Sequence, residues 1–339
     1  MQVWDRTSKR LGWLAGALAA LALIAGACGS SDDDTAQSTA TPASTPAAAA
    51  AATSAATPTA QSRTFIDATG KSFTIEKPPA RVVALSPSAV ELLYAVGAPP
   101  TARPSSATVP EAAKSLPEVG TSYQPNFEQI AAQNPDFILA DAQIQNAQTV
   151  EELSKLGVPV FSVRVQHVAD VPSSLRLLGN VMGKNEEGEK AAQDLEAKLQ
   201  SVQAKLPPES ERPTVFLMVG TSDAFWGAKP DSFAGDVAAR LGAKNLVQSG
   251  PDTSQFPGFT SYSLEQLATI DPDVILVMSV VPNAPPTSRQ LASNPAWSGL
   301  RAVKDGHVYE VPTDALVTSA GPRVSELLDT IFPMLYPGR

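Results

Sequence analysis

Two similar α/β lobes joined by one long rigid helix are the fold class that the 339-residue sequence predicts. Three observations point to it. Residues 126–140 (NFEQIAAQNPDFILA) return as residues 263–277 (SLEQLATIDPDVILV), with seven of the fifteen positions identical. Short apolar runs alternate with amphipathic stretches that stop at Gly, which is the pattern of layered α/β folds. Between the two copies, Ala192, Leu195, Leu199, Val202 and Leu206 recur at spacings of three and four, the longest helical signal in the chain.

Each element follows from local chemistry. Arg6, Lys9 and Arg10 precede an uncharged apolar stretch, Leu11–Ala27, that is short and rich in Gly and Ala, so residues 1–27 read as an export signal. Ala25-Gly26-Ala27-Cys28 resembles the lipobox of bacterial lipoproteins, which makes Cys28 the expected lipidated N-terminus. Cys28 is the only cysteine, so no intrachain disulfide can form. Residues 28–61 are Ser, Thr, Ala, Pro and Asp with almost no large apolar side chain, a composition that cannot offset chain entropy and suits a disordered tether. The formal charge is −9. Removing the signal, which carries +3 − 1 = +2, leaves about −11, an acidic body that argues against nucleic acid.

Residues 64–75 read as a hairpin around Gly70, and Arg81–Leu85 as a buried parallel strand. The loop Ser86-Pro87-Ser88 leads into a helix over 89–96 that stops at Gly97. Both copies of the repeat open on an N-cap residue (Asn126, Ser263) and carry Glu128 or Glu265 in the first turn. Both break at Asn-Pro-Asp or Asp-Pro-Asp and end in a strand. A shorter helix over 175–182 precedes the long one, which Asn185 is expected to cap and Pro207-Pro208 to end. The second lobe opens with a strand at 214–219 and a helix over 233–241. The resulting boundaries are 62–170 for the first lobe, 171–208 for a helical connector (long helix at about 186–206) and 209–339 for the second lobe.

The order and spacing of DATGKSFTI, PPARVVALSPSAVELLYAVGA, LPEVGTSYQPNFEQIAAQNPDFILA, LLGNVMGKNEE, DSFAGDVAARLGAKNL, SLEQLATIDPDVILV and AGPRVSELL resemble the class III substrate-binding proteins of ABC importers. That group serves cobalamin, ferric siderophores and haem, and the resemblance spans about residues 63–337. It implies a ligand cleft between the lobes, capture of a ferric siderophore or cobalamin-type chelate without catalysis, and no covalent cofactor. It also implies a monomer anchored outside the cell membrane that delivers its cargo to a permease dimer. Glu128 and Glu265 match the family's transporter-docking positions. Loops after strand ends nominate Pro87, Ser88 and Tyr123 in the first lobe and Phe225 and Trp226 in the second, and the resemblance adds Phe259, six residues before Glu265, where the family often has a cleft aromatic. Arg323, in the Gly-Pro-Arg motif, is nominated as a contact for an anionic ligand or a cap of the last helix.

Other classes fare worse. With only His167 and His307, a bare zinc or manganese site lacks ligands, although Tyr123 keeps a haem ligand open. The chain holds no GxSxG, HExxH, P-loop or G-x-G-x-x-G motif to suggest an enzyme. A purely structural lipoprotein would have no use for duplicated lobes around a cleft.

Overall fold

Two sheets, the first parallel and the second mixed, carry the duplicated segments at matching positions. The computed structural model describes residues 62–280, 285–318 and 320–339, with Thr318 as backbone only. The signal segment 1–27, Cys28 and the tether 28–61 lie outside the described residues. In the first lobe, β1 (Arg63–Ile66) and β2 (Ser72–Ile75) form an antiparallel hairpin. The Asp67 carboxylate fastens its turn, accepting from the N–H groups of Thr69 and Lys71 and, across the lobe, of Ser162. β3 (Val82–Ala84), β4 (Phe137–Asp141) and β5 (Val160–Val163) pair in parallel in that order, connected through α1 (Pro87–Ala95), α2 (Phe127–Ala132) and α3 (Ala147–Ser154).

α4 (Asp170–Val181) and α5 (Asn185–Lys205) follow. The second sheet contains β6 (Thr214–Gly220), β7 (Phe225–Ala228), β8 (Lys244–Asn245), β9 (Phe259–Tyr262), β10 (Val274–Met278) and β11 (Val308–Glu310). Its order is β11-β10-β6-β7-β9, with β8 alongside β6. Its helices are α6 (Phe233–Arg240), α7 (Leu264–Ile270), α8 (Thr287–Ser293), α9 (Arg301–Lys304) and α10 (Val324–Leu335).

The triplets β3-β4-β5 and β6-β10-β11 correspond residue for residue. Ile138 stands between Val83 and Val160, and its repeat partner Ile275 stands between Phe216 and Val308. Both isoleucines pack in clusters on the outer faces of their sheets, whereas Leu139 and Leu276 join one core that runs through both lobes. The break before each strand is also shared. Asn134 (φ 48°) and Asp271 (φ 39°) are the non-glycine residues with positive φ among the described residues. Asn and Asp tolerate that left-handed geometry better than other side chains. Two positions on, Asp136 accepts from the Arg81 N–H (2.8 Å) and Asp273 from the Thr214 N–H (2.8 Å), each carboxylate tying its strand to the start of the preceding one.

Three local expectations need correction, the first being the helix expected over 175–182, which runs from Asp170 to Val181. α1 begins at Pro87, not at residue 89. The Ser86 hydroxyl accepts from the Ala89 N–H (3.0 Å), and proline fits the first turn because the N–H it lacks would go unbonded there. Asn185 is the first residue of α5 rather than its cap. The turn before α5 is instead fixed by the Lys184 N–H donating to the Gly179 carbonyl (2.7 Å).

α5 is 21 residues long, about 31 Å at 1.5 Å per residue, and touches α1 of the first lobe and α6 and α10 of the second. It is stiffened by α4. A Cβ on Gly188 would lie 2.7 Å from the Leu175 carbonyl and 2.8 Å from the Gly179 Cα, so the two helices meet backbone to backbone. Arg176 of α4 then binds both Glu189 and Glu196 of α5. No helix among the described residues is long and apolar enough to cross a membrane.

Candidate functional site

A cavity of about 610 Å³ lies between the lobes, with the C-terminal ends of β3, β4 and β5 along one wall. This is where α/β layers characteristically hold ligands. From β3 come Pro87 and Ser88, from β4 Asp141 and Gln143, and from β5 Arg164, the residue directly after the strand. The connections before α2 add Ser105, Ser106 and the run Thr121–Tyr123. Buried Gln145 holds these loops together. Its amide donates to the Ser122 carbonyl (2.6 Å) and its oxygen accepts from the Asp141 N–H (2.7 Å). The second lobe contributes Lys229, Asp231, Phe233, Asp252, Phe259 and Leu316, among others.

The residues nominated from sequence divide. Pro87, Ser88, Tyr123 and Phe259 line the cavity. Tyr123 is 69% exposed and so free to meet a ligand, whereas Phe259 is almost fully buried. The Ser88 hydroxyl is committed, donating to the Ala320 carbonyl of the other lobe (2.6 Å).

Phe225, Trp226 and Arg323 fall outside the lining. β7 alternates its faces, so Phe225 points to the outer cluster and packs on Trp297 at 5.1 Å, while Trp226 sits behind Phe256 at 5.1 Å. Arg323 is an inter-lobe clasp. Its guanidinium binds both carboxylate oxygens of buried Glu91 in α1, at 2.9 and 2.8 Å, and also Asp314 at 2.8 Å. A guanidinium held this way has little left for a ligand.

Sequence reasoning missed Asp141, Arg164 and Lys229. The strand-end rule contained the needed signal for Asp141 and Arg164, since one closes β4 and the other follows β5. Lys229 follows β7 and pairs with Asp252, which raises the lysine pKa and lowers that of the aspartate.

Asp141 is buried, and burial pushes its carboxyl pKa up. Hydrogen bonds from the Gln143 N–H and the Ser86 hydroxyl, and the Arg164 charge, counter this only in part. A carboxyl whose folded pKa lies above its unfolded value favours folding fully only below the unfolded pKa, near 4, and loses that contribution as pH rises through the folded value. Asp141→Asn, which keeps the acceptor for the Gln143 N–H, is therefore expected to raise the melting temperature at neutral pH. The gain should disappear below about pH 4, and thermal unfolding from pH 3 to 8 checks it.

Glu128 and Glu265 are both exposed in the first turns of α2 and α7. Asn126 caps the first helix, and Ser263 with Gln266 forms a capping box on the second. The caps leave both carboxylates to solvent at equivalent places of the two lobes. Among the described residues no group of three or more His, Cys, Asp or Glu converges to hold a metal ion.

A parallel triplet in each lobe, a stiff helical connector and a polar cleft at strand ends together define a two-lobed binding protein. Residues 82–315 match the family model described as periplasmic binding protein, and the chain belongs to that family of transporter substrate-binding proteins. It is 26% identical over 281 residues to the uncharacterized ABC transporter substrate-binding lipoprotein YvrC of Bacillus subtilis, covering 81% of this chain and 85% of that one. It is 27% identical over 274 residues to the Fe(3+)-citrate-binding protein YfmC of the same organism, covering 78% and 83%. Among solved structures it resembles a periplasmic heme-binding protein from Pseudomonas aeruginosa, with a TM-score of 0.66 and 25% identity over 77% of this chain and 94% of that one.

Proposed function

We propose that this chain is the lipid-anchored, extracytoplasmic substrate-binding protein of an ABC importer, taking a ferric siderophore or cobalamin-type chelate into the cleft and releasing it to a permease dimer. The observation that carries the reading is the cavity itself. It lies between lobes built on the same parallel triplet, and at about 610 Å³ it is within the range of small-molecule sites. The family match and the relative named for ferric citrate support a metal chelate as cargo. No reaction is assigned to the site. The chain acts as a monomer, and the two lobes shift only modestly on loading because α4 and α5 brace each other along their length.

Haem is a second reading, favoured by Tyr123. Its exposed phenol on the cavity wall is of a type that can ligate haem iron. Colour separates these cargoes from the rest. Protein mixed with cyanocobalamin, haemin or a ferric siderophore and passed through a desalting column should keep the visible band of its own ligand. Loss of every band would overturn the proposal.

A further inference from the structure

The walls of the cleft differ in charge and polarity. The first-lobe wall carries Arg164, surrounded by hydroxyl and amide groups of Ser105, Ser106, Thr121, Gln143 and Gln166. Arg164 is exposed, lines the cavity, and forms no ion pair or side-chain hydrogen bond among the described residues. Asp141, a buried carboxyl whose environment works against ionisation, interacts with its charge, and Asp67 and Asp170 line a smaller cavity that Arg164 also borders.

The second-lobe wall holds a cation too, but a spent one. Lys229 has only 14% of its side chain exposed and lies between Asp252 and Asp231, at 3.7 Å from the latter. With two carboxylates on one ammonium, that side of the cleft has surplus negative charge. The rest of the wall includes Phe233, Pro257, Phe259, Leu316 and Val317.

We propose that Arg164 reads the charge of the cargo, so that the cleft is built for a chelate whose anionic oxygens face the first lobe and whose apolar face rests on the second. The inference rests on the reading of this chain as a chelate carrier and narrows its substrate class. A guanidinium presents a planar fork of donors that matches carboxylate or catecholate oxygens in pairs, and a partly enclosed cleft strengthens that contact. The serine and threonine hydroxyls around it can supply further donors to the same oxygens. The carboxylates of the second lobe repel an anion turned the wrong way, which fixes the orientation as well as the charge.

The test uses the full-length protein in detergent and two ferric chelates of similar size but different charge, an anionic tris-catecholate and a neutral tris-hydroxamate. The wild-type chain is expected to prefer the tris-catecholate, and added salt should weaken that binding. Arg164→Gln should lose roughly 10- to 100-fold in affinity for the tris-catecholate, the range of a charge-assisted hydrogen-bonded contact. Its affinity for the neutral chelate should stay within about threefold of wild type, as befits a change outside the contacts that bind it. Arg164→Lys should fall between, since an ammonium restores the charge but not the fork.

Equal affinity of Arg164→Gln and wild type for the tris-catecholate, or a wild-type preference for the neutral chelate, would overturn this inference and leave the importer reading intact. Failure of the wild-type chain to bind either of these, ferric citrate, haemin or cyanocobalamin would overturn both together. Arg164 is exposed at the end of β5, so its substitution should not unfold the lobe, and circular dichroism of each variant checks that.

Discussion

Arg323→Met should lower the free energy of unfolding by about 3–5 kcal/mol, the usual consequence of removing one partner of a buried ion pair. The Glu91 side chain is 3% exposed and that of Arg323 16%, so neither charge has bulk water as an alternative partner. The guanidinium meets Glu91 through two parallel contacts at 2.9 and 2.8 Å, the geometry in which such pairs are strongest. Without Arg323, the Glu91 carboxylate stays in the interior with its two guanidinium contacts gone. The Asp314 side chain is 53% exposed, so its pair with Arg323 should contribute little to the loss. The double variant Glu91→Leu/Arg323→Met should recover most of the stability, because two apolar side chains in a dry site replace an ion pair at little cost. Urea unfolding of the three proteins measures this. A single variant within about 0.5 kcal/mol of wild type would show that the clasp contributes nothing.

The clasp matters beyond stability because it joins the lobes. Glu91 is in α1 of the first lobe and Arg323 immediately precedes α10 of the second. The Ser88 to Ala320 hydrogen bond lies between the same two regions, and both of those residues line the cavity. Lys198 of α5 pairs with Asp329 of α10, tying the connector to the second lobe as well. The spacing of the cleft walls is thus set by polar contacts at its floor in addition to the helical brace.

Reversal of both exposed carboxylates, Glu128→Lys with Glu265→Lys, should abolish uptake while leaving the affinity for ligand unchanged. Each carboxylate stands in a helix directly before the central strand of its triplet. If these residues dock the chain, as the family resemblance implies, a two-fold permease dimer would offer the same basic patch twice and the matched acids would answer it. Setting like charges against each other across such an interface costs several kcal/mol, enough to reduce docking by more than about 100-fold. Neither residue belongs to the cavity lining, so the purified variant should bind chelate as the wild type does. Labelled-iron uptake in cells lacking the wild-type gene, alongside titration of the purified variant, reads both halves. Normal uptake by the double variant would remove these residues from the docking surface.

Periodicity and punctuation were sufficient for the repeated parts of the fold. The Asn-Pro-Asp and Asp-Pro-Asp breaks marked the left-handed residues Asn134 and Asp271 and the strand-tying Asp136 and Asp273. The apolar spacing of Leu195, Leu199 and Val202 marked the long helix, but nothing in it revealed that Gly179 and Gly188 would seat α4 against that helix. Start signals were subtler, since Ser86 followed by Pro87 reads equally as a loop or as a cap with proline in the first turn.

The cleft was legible only where a backbone rule reached it. Strand ends gave Pro87 and Ser88. The same rule misplaced Phe225 and Trp226, because both lie in strand β7, paired with β6 and β9, and not in a loop after β6. Arg323 does stand at the N-cap of α10, one of its two expected roles, but its ion pair was not legible. Its partner Glu91 is 232 positions away, and no local pattern links them.

A calorimetric titration of the purified chain with ferric siderophores, ferric citrate, haemin and cyanocobalamin, repeated on Ala142→Trp, tests whether this cleft is the site of capture. Ala142 lines the cavity beside Asp141, and an indole there fills space a ligand needs. One chelate should bind the wild-type chain saturably, one molecule per chain, and fail to bind the filled variant. Undiminished binding to Ala142→Trp, or no binding of any chelate to the wild-type chain, would contradict a carrier that works through the groove between its lobes.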